Sequence, residues 1–437
     1  MLDAGPIIFF IVVLLLLLTG YPVAFTLGGA SIIFGLFTFG IEFFNLLPLR
    51  IWGIMNNYIL IAVPLFIFMG VMFEKSGLAE DLLETMALLF GKLKGGLAIS
   101  VLIVGAMLAA ATGIVGATVV TMGVLSLPTM LKRGYNPKSA CGIISASGTL
   151  GQIIPPSIVL VLLGSVLNIS VGDLFMAAVI PGFILVALYL GWIILTTFLN
   201  PKDLPAMPME DLEIFRTSNM YKKIVGAFIA PVVLIIAVLG SIFAGIASPT
   251  EAAAIGAFGA TLLTIFRKKF SLKTLNDVMV QTTRLTSMAF LILVGASAFG
   301  LVFRGMGGDR YLTELISGIE PHHFLLIVML IIFVAGFFID FIEITFIIVP
   351  VVAPIFVHLG IDLLWVGILI AINLQTSFLT PPFGFALFYL KGVAPPSVKT
   401  SHIYKGIMPY VAIQLFALFL IILFPEIALW FPNFLKQ

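Results

Sequence analysis

The sequence predicts an all-α polytopic membrane protein made of two inverted-topology repeats, each with a re-entrant hairpin and a broken transmembrane helix. Three observations predict this fold class: the composition, a set of landmarks that occurs twice in the same order, and the distribution of Lys and Arg. Hydrophobic residues make up 61% of the chain and charged residues 10%, with a mean hydropathy of +1.23. A soluble globule cannot accommodate that composition. We count about ten apolar runs of roughly 20 residues, the length that crosses a bilayer core about 30 Å thick.

Several classes of function are excluded at this stage. The first apolar run follows Asp3 without basic residues before it, so we expect a membrane helix and not a signal peptide. The single cysteine, Cys141, leaves no partner for an intrachain disulfide or a thiolate metal cluster. No GxxxxGK[ST] phosphate loop is present, and a net charge of +2 gives no reason to expect a nucleic-acid partner.

Landmarks that recur at a nearly constant spacing indicate an internal duplication. One set of landmarks recurs 226 positions later in the chain: Pro128, Gly134 and Pro155-Pro156 recur as Pro354, Gly360 and Pro381-Pro382. Other landmarks recur with little drift: Pro22, Gly77 and Pro181 match Pro249, Gly307 and Pro409. Ordered matches of this kind are typical of a duplicated unit. We predict repeats at residues 1–200 and 224–437, joined by a cytoplasmic linker at 201–223.

Basic residues place both ends of one apolar region on the same side of the membrane. The region at about 95–131 is flanked by Lys92, Lys94, Lys132, Arg133 and Lys138. Short cytoplasmic loops collect Lys and Arg, so both ends are predicted to be cytoplasmic. The polar segment ATGIVGAT at 111–118 lies at its middle and favours a re-entrant hairpin over two full spans.

The matching region at about 324–357 has His but no nearby Lys or Arg at its ends, so its ends are predicted to be external. An odd number of crossings per repeat then requires the second repeat to start from the opposite face. The repeats are therefore predicted to be inverted, as in many secondary transporters. Segments 78–91 and 271–283 are mildly amphipathic, and we expect both to lie at the membrane surface as arms.

Each repeat also contains a break inside a long apolar segment. The first is SASGTLGQIIPPS at 145–157, within about 139–167, and the second is NLQTSFLTPPFG at 373–384, within about 362–390. A break frees backbone carbonyls for a hard cation and directs half-helix N-termini at an anion. Sodium prefers oxygen ligands, and hydroxyls are abundant here. The predicted sodium ligands of the first repeat are Thr112, Gly113, Gly116, Thr118, Ser145, Ser147, Gly148 and Thr149.

Two acids strengthen the same interpretation for the second repeat. Asp340 and Glu343 lie inside an apolar stretch, where an ionisable side chain is costly unless it is paired or functional. The alternative is that the hairpin loop reaches water and solvates both acids. The predicted sodium ligands of this repeat are Asp340, Glu343, Asn373, Gln375, Thr376 and Ser377. Residues predicted to face a substrate are Pro155, Pro156, Thr380, Pro381 and Pro382; the alternative is that Pro and Gly only kink the helices.

Four segments together carry a resemblance to a known family. GIASPTEAAAIGAFGA, ATGIVGAT, GTLGQIIPPS and LQTSFLTPPFGFALF resemble the large membrane subunit of tripartite ATP-independent periplasmic (TRAP) transporters, over essentially the whole chain. The resemblance implies sodium-driven import of a small organic acid across the bacterial inner membrane by an elevator mechanism. It also implies two partners, a periplasmic substrate-binding protein and a small four-helix membrane subunit.

Two other classes of function remain open from the residues. A self-sufficient divalent-anion/sodium symporter would share the hairpins and breaks but would need no binding protein. An intramembrane enzyme is the other class. It is disfavoured because the chain lacks an HExxH zinc motif and its single Cys has no evident catalytic partner.

Overall fold

The computed structural model describes residues 4–206, 220–315 and 318–436 of the 437-residue chain. Every regular element in those residues is helical, which confirms the all-α prediction. The predicted linker at 201–223 falls largely outside the described residues. The helices of the first half are α1 (Gly5–Leu17), α2 (Val23–Phe39), α3 (Leu47–Met55), α4 (Ala62–Lys75), α5 (Leu78–Phe90), α6 (Gly96–Thr112), α7 (Val115–Lys132), α8 (Pro137–Thr149), α9 (Ile158–Leu167) and α10 (Val171–Leu199).

The second half repeats this order of helices. It contains α11 (Met220–Phe243), α12 (Pro249–Phe266), α13 (Leu272–Gly305), α14 (Gly308–Leu315), α15 (Pro321–Ala335), α16 (Phe341–Ile347), α17 (Val349–His358), α18 (Leu363–Leu379), α19 (Phe385–Val393), α20 (Thr400–Leu423) and α21 (Glu426–Leu435). Among the described residues, six helical segments are long and apolar enough to cross a membrane. A seventh span is possible if α16 and α17, which are bent by 50°, are counted as one.

Helices flank a turn at both predicted hairpins, and a helix is interrupted at both predicted breaks; that the hairpins are re-entrant stays a prediction. The first hairpin is α6 and α7, and the second consists of α15, α16 and α17. The first broken helix is α8 followed by α9, and the second is α18 followed by α19. The arm predicted at 78–91 is α5. The segment predicted as an arm at 271–283 forms the start of the continuous 34-residue helix α13, and its position at the membrane surface stays a prediction.

Landmarks predicted to be equivalent occupy equivalent places in the two halves. Pro128 lies inside α7 and Pro354 inside α17, while Pro181 lies inside α10 and Pro409 inside α20. Two pairs of equivalent glycines adopt positive φ after matching helices: Gly77 with Gly307, and Gly134 with Gly360. These matches support the duplication. Inversion concerns direction relative to the membrane and stays a prediction.

Helix packing separates two groups of helices. In the first, α12 packs along α4, and α13 packs along α2 and α4. In the second, α6 and α7 pack against α8, α15 packs against α18, and α20 packs against α8. The groups meet where α4 contacts α6 and α9, and where α13 contacts α16. Both hairpin tips therefore lie at the junction of the two groups.

Candidate functional site at the two hairpin tips

The tip of the first hairpin is a sharp turn between α6 and α7. Gly113 has a φ of +62°, a left-handed conformation that glycine adopts without steric cost. The Thr112 and Thr118 hydroxyls lie 2.8 Å apart, and the Thr118 hydroxyl donates to the Ile114 carbonyl at 2.9 Å. Ile114 offers α7 no side-chain cap. The first N–H groups of α7 therefore lack an intrahelical partner and are free to face an anion.

This tip packs directly on the break in its own repeat. A 3-10 turn at Leu150–Gln152 ends α8, and α9 begins only at Ile158. A Cβ added to Gly113 would lie 3.4 Å from the Pro156 carbonyl oxygen and 3.4 Å from the Ile158 nitrogen. The first tip therefore packs on the first break.

The hydroxyls of the first break are buried and mostly bound to their own helix. Ser145, Ser147 and Thr149 are fully buried. Ser147 donates to the Ile144 carbonyl at 3.1 Å, and Thr149 donates to the Ala146 carbonyl at 2.9 Å. Such hydroxyl oxygens keep lone pairs that a cation can use. Gly105 and Gly148 bring the hairpin close: a Cβ on Gly105 would lie 2.5 Å from the Ser147 hydroxyl oxygen, and one on Gly148 would clash with Val119.

The tip of the second hairpin is organised by its two acids. Asp340 is the N-cap of α16, and its carboxylate accepts from the Phe341 N–H at 2.6 Å. The Glu343 carboxylate reaches back and accepts from the Asp340 N–H at 3.1 Å. This reciprocal pair is a capping box, a role that the D-x-x-E spacing signals and that the sequence analysis missed. Both acids are half-buried.

The second break is held to its hairpin through a buried amide. Asn373 donates to the Met329 carbonyl of α15 at 2.6 Å. Thr376 donates to the Ile372 carbonyl at 2.7 Å and Ser377 to the Leu374 carbonyl at 2.8 Å. Gly336 lies so close to Ser377 that a Cβ there would overlap its hydroxyl. The second hairpin thus packs on the second break.

Both tips line one cavity of about 380 Å³ between the two helix groups. Gly113 and Gly116 line it from the first tip, and Asp340 lines it from the second. The opposite wall comes from α4 and α13, which contribute Glu74 and Gln281. Tyr389 of α19 completes the polar lining. Glu74, Gln281 and Tyr389 were not predicted from the sequence, because no sequence spacing brings α4, α13 and α19 together around the tips.

Two buried amides near the breaks have no hydrogen-bond partner. Gln152 and Gln375, one from each broken helix, are fully buried, and neither side-chain nitrogen nor oxygen is paired. α18, which contains Gln375, packs against the 3-10 turn that contains Gln152. An unpaired buried amide costs about 1–3 kcal/mol, so these groups are candidates for contact with an ion or water. Gln375 was predicted as a ligand, whereas Gln152 was missed although it lies within the quoted motif.

The five residues predicted to face substrate are not part of this cavity's lining. Pro155 lines a separate apolar cleft with α6 and α10, and Pro156 contacts Gly113 through its carbonyl. Thr380 donates to the Thr376 carbonyl, and the Pro382 carbonyl accepts from the Tyr404 hydroxyl at 2.7 Å. Their role in binding a substrate stays a prediction.

A comparison with protein families decides between the classes left open by the residues. Residues 10–427 match the model of the tripartite ATP-independent periplasmic transporter, DctM component. The chain belongs to the TRAP transporter family. It is 30% identical to the C4-dicarboxylate TRAP transporter large permease protein DctM of Vibrio cholerae, over 98% of this chain and 97% of that one. It is 31% identical to the DctM protein of Pseudomonas aeruginosa, over 89% of this chain and 90% of that one.

Solved structures support the same fold. The YdaH transporter of Alcanivorax borkumensis, described as having an unusual topology, superposes with a TM-score of 0.61 over 96% of this chain and 97% of its own, at 15% identity. The TRAP chain is therefore a multi-pass permease subunit and not an enzyme, as predicted. Its family implies a small membrane subunit and a periplasmic binding protein as partners.

Proposed function

We propose that this TRAP permease subunit imports a small organic acid with sodium ions, and that the acid is delivered by a periplasmic substrate-binding protein. The observation on which this rests is the cavity that both hairpin tips share. Each tip packs on a broken helix rich in buried hydroxyls. Relatives about 30% identical are named as C4-dicarboxylate transporters, which supports an organic acid as cargo.

The sodium sites are proposed at the two tip–break contacts. In the first repeat, Thr112, Thr118, Ser145, Ser147 and Thr149 supply hydroxyl oxygens, and the tip at Gly113 and Gly116 and the break at Gly148 supply backbone carbonyls. In the second, Asp340, Glu343, Asn373, Gln375, Thr376 and Ser377 supply carboxylate, amide and hydroxyl oxygens. Oxygen-only ligand sets suit hard cations. We add Gln152, whose unpaired amide oxygen lies at the first break.

The elevator mechanism is proposed from the arrangement of the two helix groups. The hairpins and broken helices pack on one another, whereas α2, α4, α12 and α13 form a separate packing group. The cavity lies between these groups, with the tips on one side and α4 and α13 on the other. Sliding of the hairpins and broken helices along α2, α4, α12 and α13 would carry the tips and a substrate bound at them across the bacterial inner membrane.

Reconstitution tests this function directly. The chain and its small membrane subunit are placed in proteoliposomes, with or without the binding protein, and uptake of a small organic acid, labelled succinate or labelled β-alanine, is driven by a sodium, potassium or proton gradient. We expect uptake only with an inward sodium gradient and only with the binding protein. Sodium-driven uptake of equal rate without the binding protein would favour the self-sufficient symporter. Uptake driven by the proton gradient alone would overturn sodium coupling.

A further inference from the structure

The charges around the shared cavity are distributed unevenly. Its described lining contains two carboxylates, Glu74 and Asp340, together with the polar side chains of Gln281 and Tyr389, and it contains no Lys, Arg or His. Three basic residues lie one or two positions from a lining residue in the sequence: Lys75, Arg284 and Lys391. All three residues are exposed and lie outside the cavity lining. A cargo that carries only negative charge would meet no fixed positive side chain in this cavity.

The two ends of the cavity differ in polarity. At the first tip, Val115, Gly116 and Ala117 line the cavity and form the start of the 18-residue helix α7, which lacks a side-chain cap. The N-terminus of a helix presents free N–H groups and the positive end of the helix dipole. At the second tip, the Asp340 carboxylate already accepts from N–H groups of the first turn of α16, and it adds a negative charge there. The first tip therefore favours an anion, and the second does not.

Glu74 is the carboxylate of this cavity that no capping role occupies. It lies on α4, in the helix group opposite the tips; it is half-buried, and one of its oxygens accepts a hydrogen bond from the Thr121 hydroxyl of α7, which leaves the other oxygen for a ligand. Asp340 is engaged by the Phe341 N–H, and Glu343 by the Asp340 N–H. A half-buried acid that faces a cavity opposite a helix N-terminus is suited to pair with a cationic group of a bound molecule.

We propose that the cargo is a small zwitterion, an organic acid that also carries an ammonium group. Its carboxylate binds at the start of α7, near Val115 and Gly116, and its ammonium group binds Glu74 on the opposite wall. Tyr389 and Gln281 supply neutral hydrogen bonds between these ends. This inference rests on the proposed transport function and narrows its substrate class, because a simple dicarboxylate would place a second negative charge next to Glu74.

β-Alanine and succinate form a matched pair of probes, because both carry a carboxylate on a two-carbon spacer and differ in the other end, an ammonium group in one and a second carboxylate in the other. Their binding is measured by isothermal titration to the chain with its small membrane subunit in nanodiscs, with sodium present. We expect β-alanine to bind at least about tenfold more tightly than succinate, as a hydrogen-bonded charge pair would give. Glu74→Gln is expected to remove that preference, whereas Glu74→Asp, which keeps the charge, retains most of it.

The alternative, a dicarboxylate cargo held by a basic side chain, makes a different prediction for a variant of Arg284. If Arg284 swung into the cavity to hold a second carboxylate, Arg284→Gln would abolish succinate binding, and the proposal would fail. Equal or tighter binding of succinate by the parent, or binding of neither acid, would also overturn it. Thermal unfolding of each variant shows whether it is folded. A retained preference for β-alanine together with sodium-independent binding would contradict the proposed sodium coupling and leave the substrate class standing.

Discussion

The ring of Tyr389 lies against the backbone of Gly116, where an added Cβ would come within 3.1 Å of two ring carbons. Gly116 belongs to the tip of the first hairpin, and Tyr389 belongs to the second half of the other repeat's broken helix. The same crossing occurs for the second tip, because α16 packs against α9. Each tip therefore contacts its own break and the half-helix of the other repeat.

This contact leads to a prediction for Gly116→Ala. The new methyl group must displace the Tyr389 ring by a few tenths of an ångström, because 3.1 Å is closer than ordinary van der Waals contact. We expect a loss of about 1–3 kcal/mol in the free energy of unfolding and a several-fold lower rate of uptake. Gly191→Ala is the control, since a Cβ on Gly191 in α10 would meet nothing within 4 Å. Equal uptake by both variants would show that the contact has no role in transport.

A second prediction concerns the buried hydroxyls at the breaks. Ser147→Ala and Thr376→Ala each remove one oxygen from a proposed sodium site, so both should raise the sodium concentration needed for half-maximal uptake. Each hydroxyl also donates to a carbonyl of its own helix, which limits the stability cost to about 1 kcal/mol. Thr264→Ala is the matched control, because Thr264 is fully buried in α12 and donates to the Ala260 carbonyl at 2.8 Å. If neither variant differs from Thr264→Ala in sodium dependence, the two hydroxyls are not ligands.

A third prediction tests the inversion of the repeats. Lys138 and Leu359 follow equivalent hairpins, and the Lys and Arg distribution places them on opposite sides of the membrane. A reporter fused after Lys138 is expected in the cytoplasm, and one fused near Leu359 in the periplasm. Single cysteines at the same positions, probed with a membrane-impermeant thiol reagent in the Cys141→Ala background, provide an independent readout. Finding both positions on one side would make the repeats parallel.

Much of the fold could be predicted from the sequence because its signals are local or periodic. Runs of apolar residues predicted the helices, and Pro-Pro pairs predicted the two breaks at 155–156 and 381–382. The extent of α13 could not be predicted. Its first part, the mildly amphipathic segment at 271–283, continues into an apolar segment with no Pro between them to end the helix. The Ser248 and Glu251 capping box that starts α12 had a clear local signature, and the structure contains it.

The candidate site was predictable only in part. The tips and breaks could be found because each is marked by Gly, Pro and hydroxyl residues in an apolar background. The far wall of the cavity could not, because Glu74 and Gln281 come from α4 and α13 through tertiary packing that no sequence spacing encodes. The three-residue spacing of Asp340 and Glu343 is that of a capping box. We interpreted both acids only as sodium ligands, because their apolar surroundings made their charge the more conspicuous property.

The measurement that tests the account most directly is sodium-driven uptake by Asp340→Asn. Asn is a good N-cap, so this variant keeps the cap of α16 and removes one negative charge from the cavity. Thermal unfolding should therefore change by less than about 1 kcal/mol, while uptake loses most of its dependence on the sodium gradient. Glu251→Gln is the control, because it neutralises the acid of the capping box at the start of α12, outside the cavity. The account predicts weakened sodium coupling for Asp340→Asn and parental coupling for Glu251→Gln; normal sodium dependence in both variants would contradict it.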